Sequence, residues 1–272
     1  MGQSLQTRGI LKMSGFSKSC RELFEQELNR RGVAFARDAD SGRYEVKRAD
    51  GTRLQISLEN LCREFYRDND PAHIARFIDT ALSVRRIAKL WAEAERGLYL
   101  NLEPSDYADR SVLASTISGH VDSVPVLFDR NTGLITWVTL GMLRDWSVDV
   151  DALNRGAGVN LDEELRTATL EFHEFDAVQL GFINSLLPFK ASLVLAPNFR
   201  SFAEPILGWP LLAVAPARDF LFVWNARHRE FINRLGSVVV KEYKTSPYPL
   251  STEVFELTDQ GMRAIGAFQA DA

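Results

Sequence analysis

The hydrophobic positions of this chain switch repeatedly between helical and extended spacing, and the switches divide it into short elements. Ser17 can cap a helix whose apolar positions Cys20, Leu23, Phe24 and Leu28 fall three and four apart, and Gly32 can end it in the left-handed conformation. Val33 to Arg37, Tyr44 to Arg48 and Leu54 to Leu58 are extended runs separated by Asp40-Ser41-Gly42 and Asp50-Gly51, which predicts a three-stranded meander. A short helix follows from Ser57 to Tyr66. Asp70-Pro71 then supplies an N-cap followed by proline in the first turn. The stripe Ile74, Phe77, Ile78, Ala81, Leu82, Val84, Ile87, Leu90 and Trp91 predicts one long helix to about Glu95.

Residues 97 to 123 are less regular, broken by Pro104, Ser105 and Asp106, and a lobe boundary is expected between 105 and 122. Val124 to Phe128 and Leu134 to Val138 flank turn residues 129 to 133 and predict a hairpin, with a helix carrying Leu143 and Trp146 after it. Extended segments are expected around Ala168 to Phe172 and Val178 to Ile183, and a helix from Pro197 to about Leu207. A second hairpin pairs Pro210 to Ala215 with Phe220 to Trp224, followed by a helix from about Ala226 to Tyr243 and a strand near Glu253 to Leu257. The fold class is therefore α+β in two lobes. Residues 1–16 are expected to be a flexible N-terminus. Residues 17–110 form a helix, meander and long helix, and 111–272 a mixed or antiparallel sheet with packed helices.

At 272 residues and 46% apolar content the chain can bury a substantial core. Cys20 and Cys62 both lie on apolar stripes, which predicts two buried thiols and neither a disulfide nor a thiolate metal site. No segment of residues 1–16 has the apolar core of a signal peptide, Gln6 stands where a myristoylation signal needs Ser or Thr, and Met13 is a second candidate start. The most apolar segment, Ile206 to Trp224, is interrupted by Gly208, Pro210, Pro216, Arg218 and Asp219 and reads as strands. A soluble, cytoplasmic protein without a membrane anchor is expected. Residues 1–110 carry 19 Lys and Arg against 17 Asp and Glu, and residues 111–272 carry 13 against 19, an asymmetry too mild to imply nucleic acid.

Common catalytic signatures are missing: no Walker-type loop, His-Glu-x-x-His, Gly-x-Ser-x-Gly or Cys-x-x-Cys occurs. Gly156-Ala157-Gly158 lacks the preceding strand of a dinucleotide fingerprint and reads as a linker before a capped start at Asn160 and Glu163. His120 with Asp122, and His173 with Glu174, have the chemistry of metal ligands or acid–base pairs, but their spacing supplies no coordination set. The five tryptophans follow core patterns and not a basic run, so base stacking is not indicated. Arg218 and Asp219 stand in a turn at the rim of a sheet. Arg227, His228 and Arg229 follow Asn225 at a predicted helix start, where cations oppose the helix dipole unless an anion is held there.

Four stretches carry a family resemblance: Ile56-Ser57-Leu58-Glu59-Asn60-Leu61; Pro125 to Asp129 leading to Met142-Leu143-Arg144-Asp145-Trp146; Ala191 to Pro197; and Leu211-Leu212-Ala213-Val214-Ala215-Pro216-Ala217-Arg218-Asp219-Phe220-Leu221-Phe222. Over roughly residues 45 to 260 the chain resembles the YtpQ-like bacterial proteins, domain of unknown function 1444. That resemblance implies an architecture but no reaction, cofactor or catalytic residues. The resulting expectation is a non-catalytic binding or regulatory module for a protein partner or small anionic ligand. Arg218, Asp219, Arg227, His228 and Arg229 are its candidate binding residues, with no metal and no cofactor. The alternative is an enzyme, such as a hydrolase, pairing His173 or His228 with Glu174 or Asp219.

Overall fold

The computed structural model describes residues 19–39, 42–49, 51, 53–82, 90–106, 112–131 and 133–269. The chain divides into two compact units, residues 1–81 and 82–272. The expected flexible segment 1–16 lies outside the described residues.

The first unit begins with α1 (Cys20–Arg30), capped two residues later than predicted: Ser19 accepts from the Glu22 amide while the Glu22 carboxylate accepts from the Ser19 amide. The meander forms as β1 (Phe35–Arg37), β2 (Tyr44–Lys47) and β3 (Arg53–Ile56), antiparallel in chain order. Then come α2 (Glu59–Asp68) and α3 (Ala72–Leu82), whose first turn is held by Asp70 Oδ1 accepting from the Ala72 amide at 2.9 Å. Cys20, Phe24 and Leu28 of α1 and Leu61 and Phe65 of α2 are buried. Here the structure corrects the prediction for the thiols: Cys20 and Cys62 form a disulfide, with Cα atoms 5.4 Å apart, tying α1 to α2. Cys20 is buried and Cys62 half-buried, and the facing stripes of α1 and α2 bring the two sulfurs together.

The predicted long helix does not run on to Glu95. Leu90 is extended (φ −111°, ψ 141°) and exposed, and a separate short helix, α4 (Trp91–Ala94), starts after it. Residues 83–89 lie outside the described residues. The lobe boundary also moves from 105–122 to 81/82, because β4 (Leu98–Pro104) pairs along its whole length with β6 (Val121–Asp129). Turn-forming Pro104, Ser105 and Asp106 end a strand instead of separating domains.

The second unit contains two sheets. In the smaller one β6 pairs with β4 on one side and with β5 (Ser115–Thr116) and β7 (Leu134–Trp137) on the other. α5 (Leu140–Trp146) and α6 (Val150–Thr167) follow; α6 runs without a break through Gly156-Ala157-Gly158, so the expected linker is helix interior. The glycines serve packing. A Cβ at 156 would sit 3.3 Å from Glu95 Cγ, and one at 158 would sit 3.1 Å from Pro197 Cγ. Asn160 caps nothing; its amide donates to the Glu95 and Leu98 carbonyls at 2.6 and 2.7 Å.

The larger sheet is antiparallel throughout, in the order β13 (Gly261–Ala267), β12 (Glu253–Thr258), β10 (Leu211–Ala217), β11 (Phe220–Asn225), β9 (Val178–Asn184), β8 (Thr169–Phe175). Strands β10 and β12 are buried on both faces, which explains the near-continuous apolar sequence of β10, while β12 also buries Glu253 and Glu256. One face, with Leu212, Val214, Phe222, Trp224 and Val254, packs with Leu235 and Val239 of α8 (Ile232–Thr245). The other, with Leu211, Ala213, Val223, Phe255 and Leu257, joins residues of the smaller sheet, α6 and α7 (Phe199–Leu207) in the main core. Among the described residues no helix is long and apolar enough to cross a membrane.

Candidate binding edge and polar recess

Strand β8 is one end of the larger sheet, and all of its residues except Leu170 are exposed. Its pairing with β9 is regular over seven residue pairs, from Thr169 opposite Asn184 to Phe175 opposite Val178. The connecting turn is only Asp176-Ala177, with Asp176 at φ 56°, a positive value that primed hairpin turns use and that Asp tolerates. Phe175 and Val178 therefore close the turn as a hydrogen-bonded pair. By the antiparallel alternation, the amides and carbonyls of Glu171 and His173 point to β9, and those of Leu170, Phe172 and Glu174 point outward.

Neither face of β8 is covered. Leu170 leans onto the core side, close to Gly181, where a Cβ would come within 3.0 Å of Leu170 Cδ1 and 2.9 Å of Leu207 Cδ1. On the opposite side His173 lies edge-on to Phe182 (5.3 Å between centroids) and Phe175 lies 5.9 Å from Phe231. Phe172 and Phe175 remain 41% and 45% exposed, unusual for two phenylalanines on one strand. The sheet's other edge differs: β13 carries Gly261 and Gly266, an irregular register against β12, and Arg263 bound to Glu256.

A recess of about 200 Å³ adjoins the tip of β8 and is lined by Glu174, Asp176, Gln179, Leu207, Asn225, Arg227 and His228. Asn225 builds its wall: its Oδ1 accepts from the Arg227 amide at 2.9 Å and its Nδ2 donates to the Leu207 carbonyl at 2.8 Å. Gly208, at φ 76°, must be glycine, since a Cβ would come 2.5 Å from Asn225 Nδ2. Arg227 Nε donates to His228 Nε2 at 2.9 Å.

The sequence-predicted residues do not form one cluster. Arg227 to Arg229 lie in a 3₁₀ segment, residues 226–231, kinked at His228 (φ −101°, ψ 50°), and not at the start of α8. The helix-terminus argument for an anion therefore does not apply to them. Arg229 turns to Glu256 at 2.7 Å, and the Arg263 and Arg229 guanidiniums hold the Glu256 carboxyl below its ordinary range. Arg218 and Asp219 sit at the other end of β11, ~20 Å away at strand spacing. There the Arg218 guanidinium covers the Tyr248 ring at 3.6 Å from its centroid. His173 and Glu174 point to opposite sides of β8; Glu174 lines the recess and His173 does not. His120 is exposed and Asp122 buried, and no group of three or more His, Cys, Asp or Glu among the described residues could hold a metal ion.

Sequence patterns missed a buried polar knot on β4. Glu103 Oε1 accepts from Asn101 Nδ2 at 2.7 Å and Trp137 Nε1 at 3.1 Å, and Asn101 Oδ1 accepts from Ser192 Oγ at 2.8 Å. Burial pushes the Glu103 carboxyl above its ordinary range, against the pull of the Trp137 hydrogen bond and the Arg218 charge. Asp122 is its cross-strand neighbour. Asp122 Oδ1 and Arg218 Nε are buried without a hydrogen-bond partner, the sort of groups that buried water satisfies.

The fold and this site define an α+β chain whose larger sheet ends in an open strand. No family model, curated protein or solved structure matches the chain.

Proposed function

We propose that this is a non-catalytic binding protein that recognises a protein partner by strand addition at β8. The observation that supports the reading is the open edge itself: a regular seven-residue strand, exposed on both faces, without proline, lysine or bulge, bearing two exposed phenylalanines. Natural sheets ordinarily blunt such edges, because outward amides and carbonyls template pairing with another chain. Left open, they serve peptide recognition, with main-chain hydrogen bonds giving affinity and neighbouring pockets giving specificity. The recess containing Arg227 and His228 would receive the partner side chain that follows Glu174. Of the candidate residues, these two thus keep a binding role in the proposal; a small anion held by Arg218, Asp219 and Arg229 as well would need groups that stand apart.

The test is fluorescence anisotropy with labelled extended peptides of alternating apolar and polar residues. Phe172→Pro removes the central outward amide but no rung of the β8–β9 ladder, so the folded variant should lose the binding that the parent shows. Equal binding by both proteins, or by neither at concentrations where both are monomeric, would remove the reading.

The hydrolase reading retains one observation: His228 and Glu174 line the same recess, whereas His173 and Asp219 do not. Hydrolysis of a generic ester or phosphoester that vanished in both His228→Gln and Glu174→Gln would favour it. Kinship with the YtpQ-like bacterial proteins belongs to the same proposal, on the stretches quoted above. A cytoplasmic setting, also proposed, implies that the Cys20–Cys62 pair is held there as thiols, since that compartment keeps cysteines reduced.

A further inference from the structure

We infer that the partner of β8 is a second copy of this chain, joined antiparallel about a two-fold axis at Phe172; this rests on the strand-addition reading above. Of the antiparallel registers that set outward groups against outward groups, the one centred on Phe172 engages the full strand. Centring the pair on Phe172 places Thr169 opposite Phe175 of the second copy, Leu170 opposite Glu174, and Glu171 opposite His173, so that all seven residues of each strand are paired.

Three features favour this register. Leu170, Phe172 and Glu174 carry the outward amides and carbonyls, and in this alignment they meet only one another, as an antiparallel ladder requires. A shift by one residue would set outward groups against inward ones. Glu171 and His173 come opposite each other twice, an acid against a hydrogen-bonding imidazole on the face that already carries Phe182. The remaining acid, Glu174, comes opposite Leu170 of the second copy and so meets no like charge across the ladder; in its own chain it shares the recess with Asp176, Arg227 and His228.

The pairing also covers what is uncovered. Phe172 meets Phe172 of the other copy across the axis, and Phe175 is sheltered by Thr169 and its neighbours; the two six-stranded sheets become one of twelve. The contact is isologous and therefore closes at two chains. The other edge, β13, has no such self-matching sequence and is interrupted by its glycines and Arg263.

The experiment combines sedimentation equilibrium with site-directed disulfides in the full chain. The expected mass is twice the 30.6 kDa chain, falling to one chain in Phe172→Lys, whose circular dichroism should match the parent. Hydrogen-bonded antiparallel partners have Cα atoms about 5.5 Å apart, within disulfide reach, so Phe172→Cys should cross-link to itself under mild oxidation. Glu171→Cys should cross-link with His173→Cys when the two are mixed, and neither with itself. A chain that stays monomeric at every concentration while Phe172→Pro still abolishes peptide binding would overturn the second-copy inference and leave strand addition standing. Monomers whose peptide binding is absent or insensitive to Phe172→Pro would overturn both. A dimer that survives Phe172→Lys, or that cross-links in another register, would overturn the interface proposed here.

Discussion

Reducing the Cys20–Cys62 bridge should destabilise the first unit and leave the second where it was. The bridge spans 42 positions of sequence, so it removes the entropy of closing a loop of ~43 residues from the unfolded chain, worth about 4 kcal/mol at 25 °C. The affected unit is small, and at typical stabilities per residue its 81 residues would hold only about 4–12 kcal/mol. Loss of the bridge thus removes a large share of what keeps α1 on α2. The assay follows from where the chromophores lie. All five tryptophans, Trp91 to Trp224, belong to the second unit, while the first has Tyr44 and Tyr66. Urea unfolding with and without dithiothreitol should show the tyrosine and circular-dichroism signal of the first unit moving to lower urea. The tryptophan transition should be unchanged. A Cys20→Ala/Cys62→Ala variant should behave as the reduced parent does and be indifferent to reductant. If reduction moved neither transition, or moved only the tryptophan one, the reasoning would fail at its first step.

Three further outcomes test the packing of the second unit. Glu103 has its folded protonation equilibrium raised by burial, so its contribution to stability is present below the unfolded value of about 4.3 and is lost as pH rises through the folded one; Glu103→Gln, which cannot ionise, should gain on the parent in thermal melts as pH increases from 4 and be level with it below. Gly181→Ala should cost about 1–3 kcal/mol by chemical denaturation, because the new methyl meets Leu207, Leu170 and Val223 at 2.9–3.0 Å; adding Leu170→Ala should recover part of the loss. Asn160→Leu should cost about 1–3 kcal/mol in the same assay, since it strands the Glu95 and Leu98 carbonyls that one amide now serves.

Local pattern was enough for elements bounded by clear turn or capping residues. α1, the meander and the hairpins β6–β7 and β10–β11 all stand close to where periodicity and turn residues put them. β4 was hidden because its buried face carries Asn101 and Glu103, polar residues satisfied by one another and by Ser192 and Trp137, which no single-strand pattern reveals. Gly156 and Gly158 read as a linker because their purpose, the close approach of Glu95 and Pro197 to α6, is tertiary. The disulfide was missed for a related reason: helical stripes show that a thiol is buried, not what it faces.

The candidate site divides in the same way. Arg227 and His228 stood out as cations near a predicted helix start, yet their placement depends on Asn225 and on a kink at His228 that propensity does not report. The open edge left one readable trace. Leu170, Phe172 and Glu174 alternate with Glu171, His173 and Phe175, so neither face of β8 is purely apolar, as expected of a strand that no layer covers. Its position at the end of the sheet is a matter of strand order and could only come from the structure.

Residue-resolved amide exchange across β8 tests the central claim most directly. The account predicts that in dilute protein the Leu170, Phe172 and Glu174 amides exchange far faster than those of Glu171 and His173, and that the first three slow together as concentration rises. Outward amides already protected in the monomer, or unchanged over the full concentration range, would contradict it.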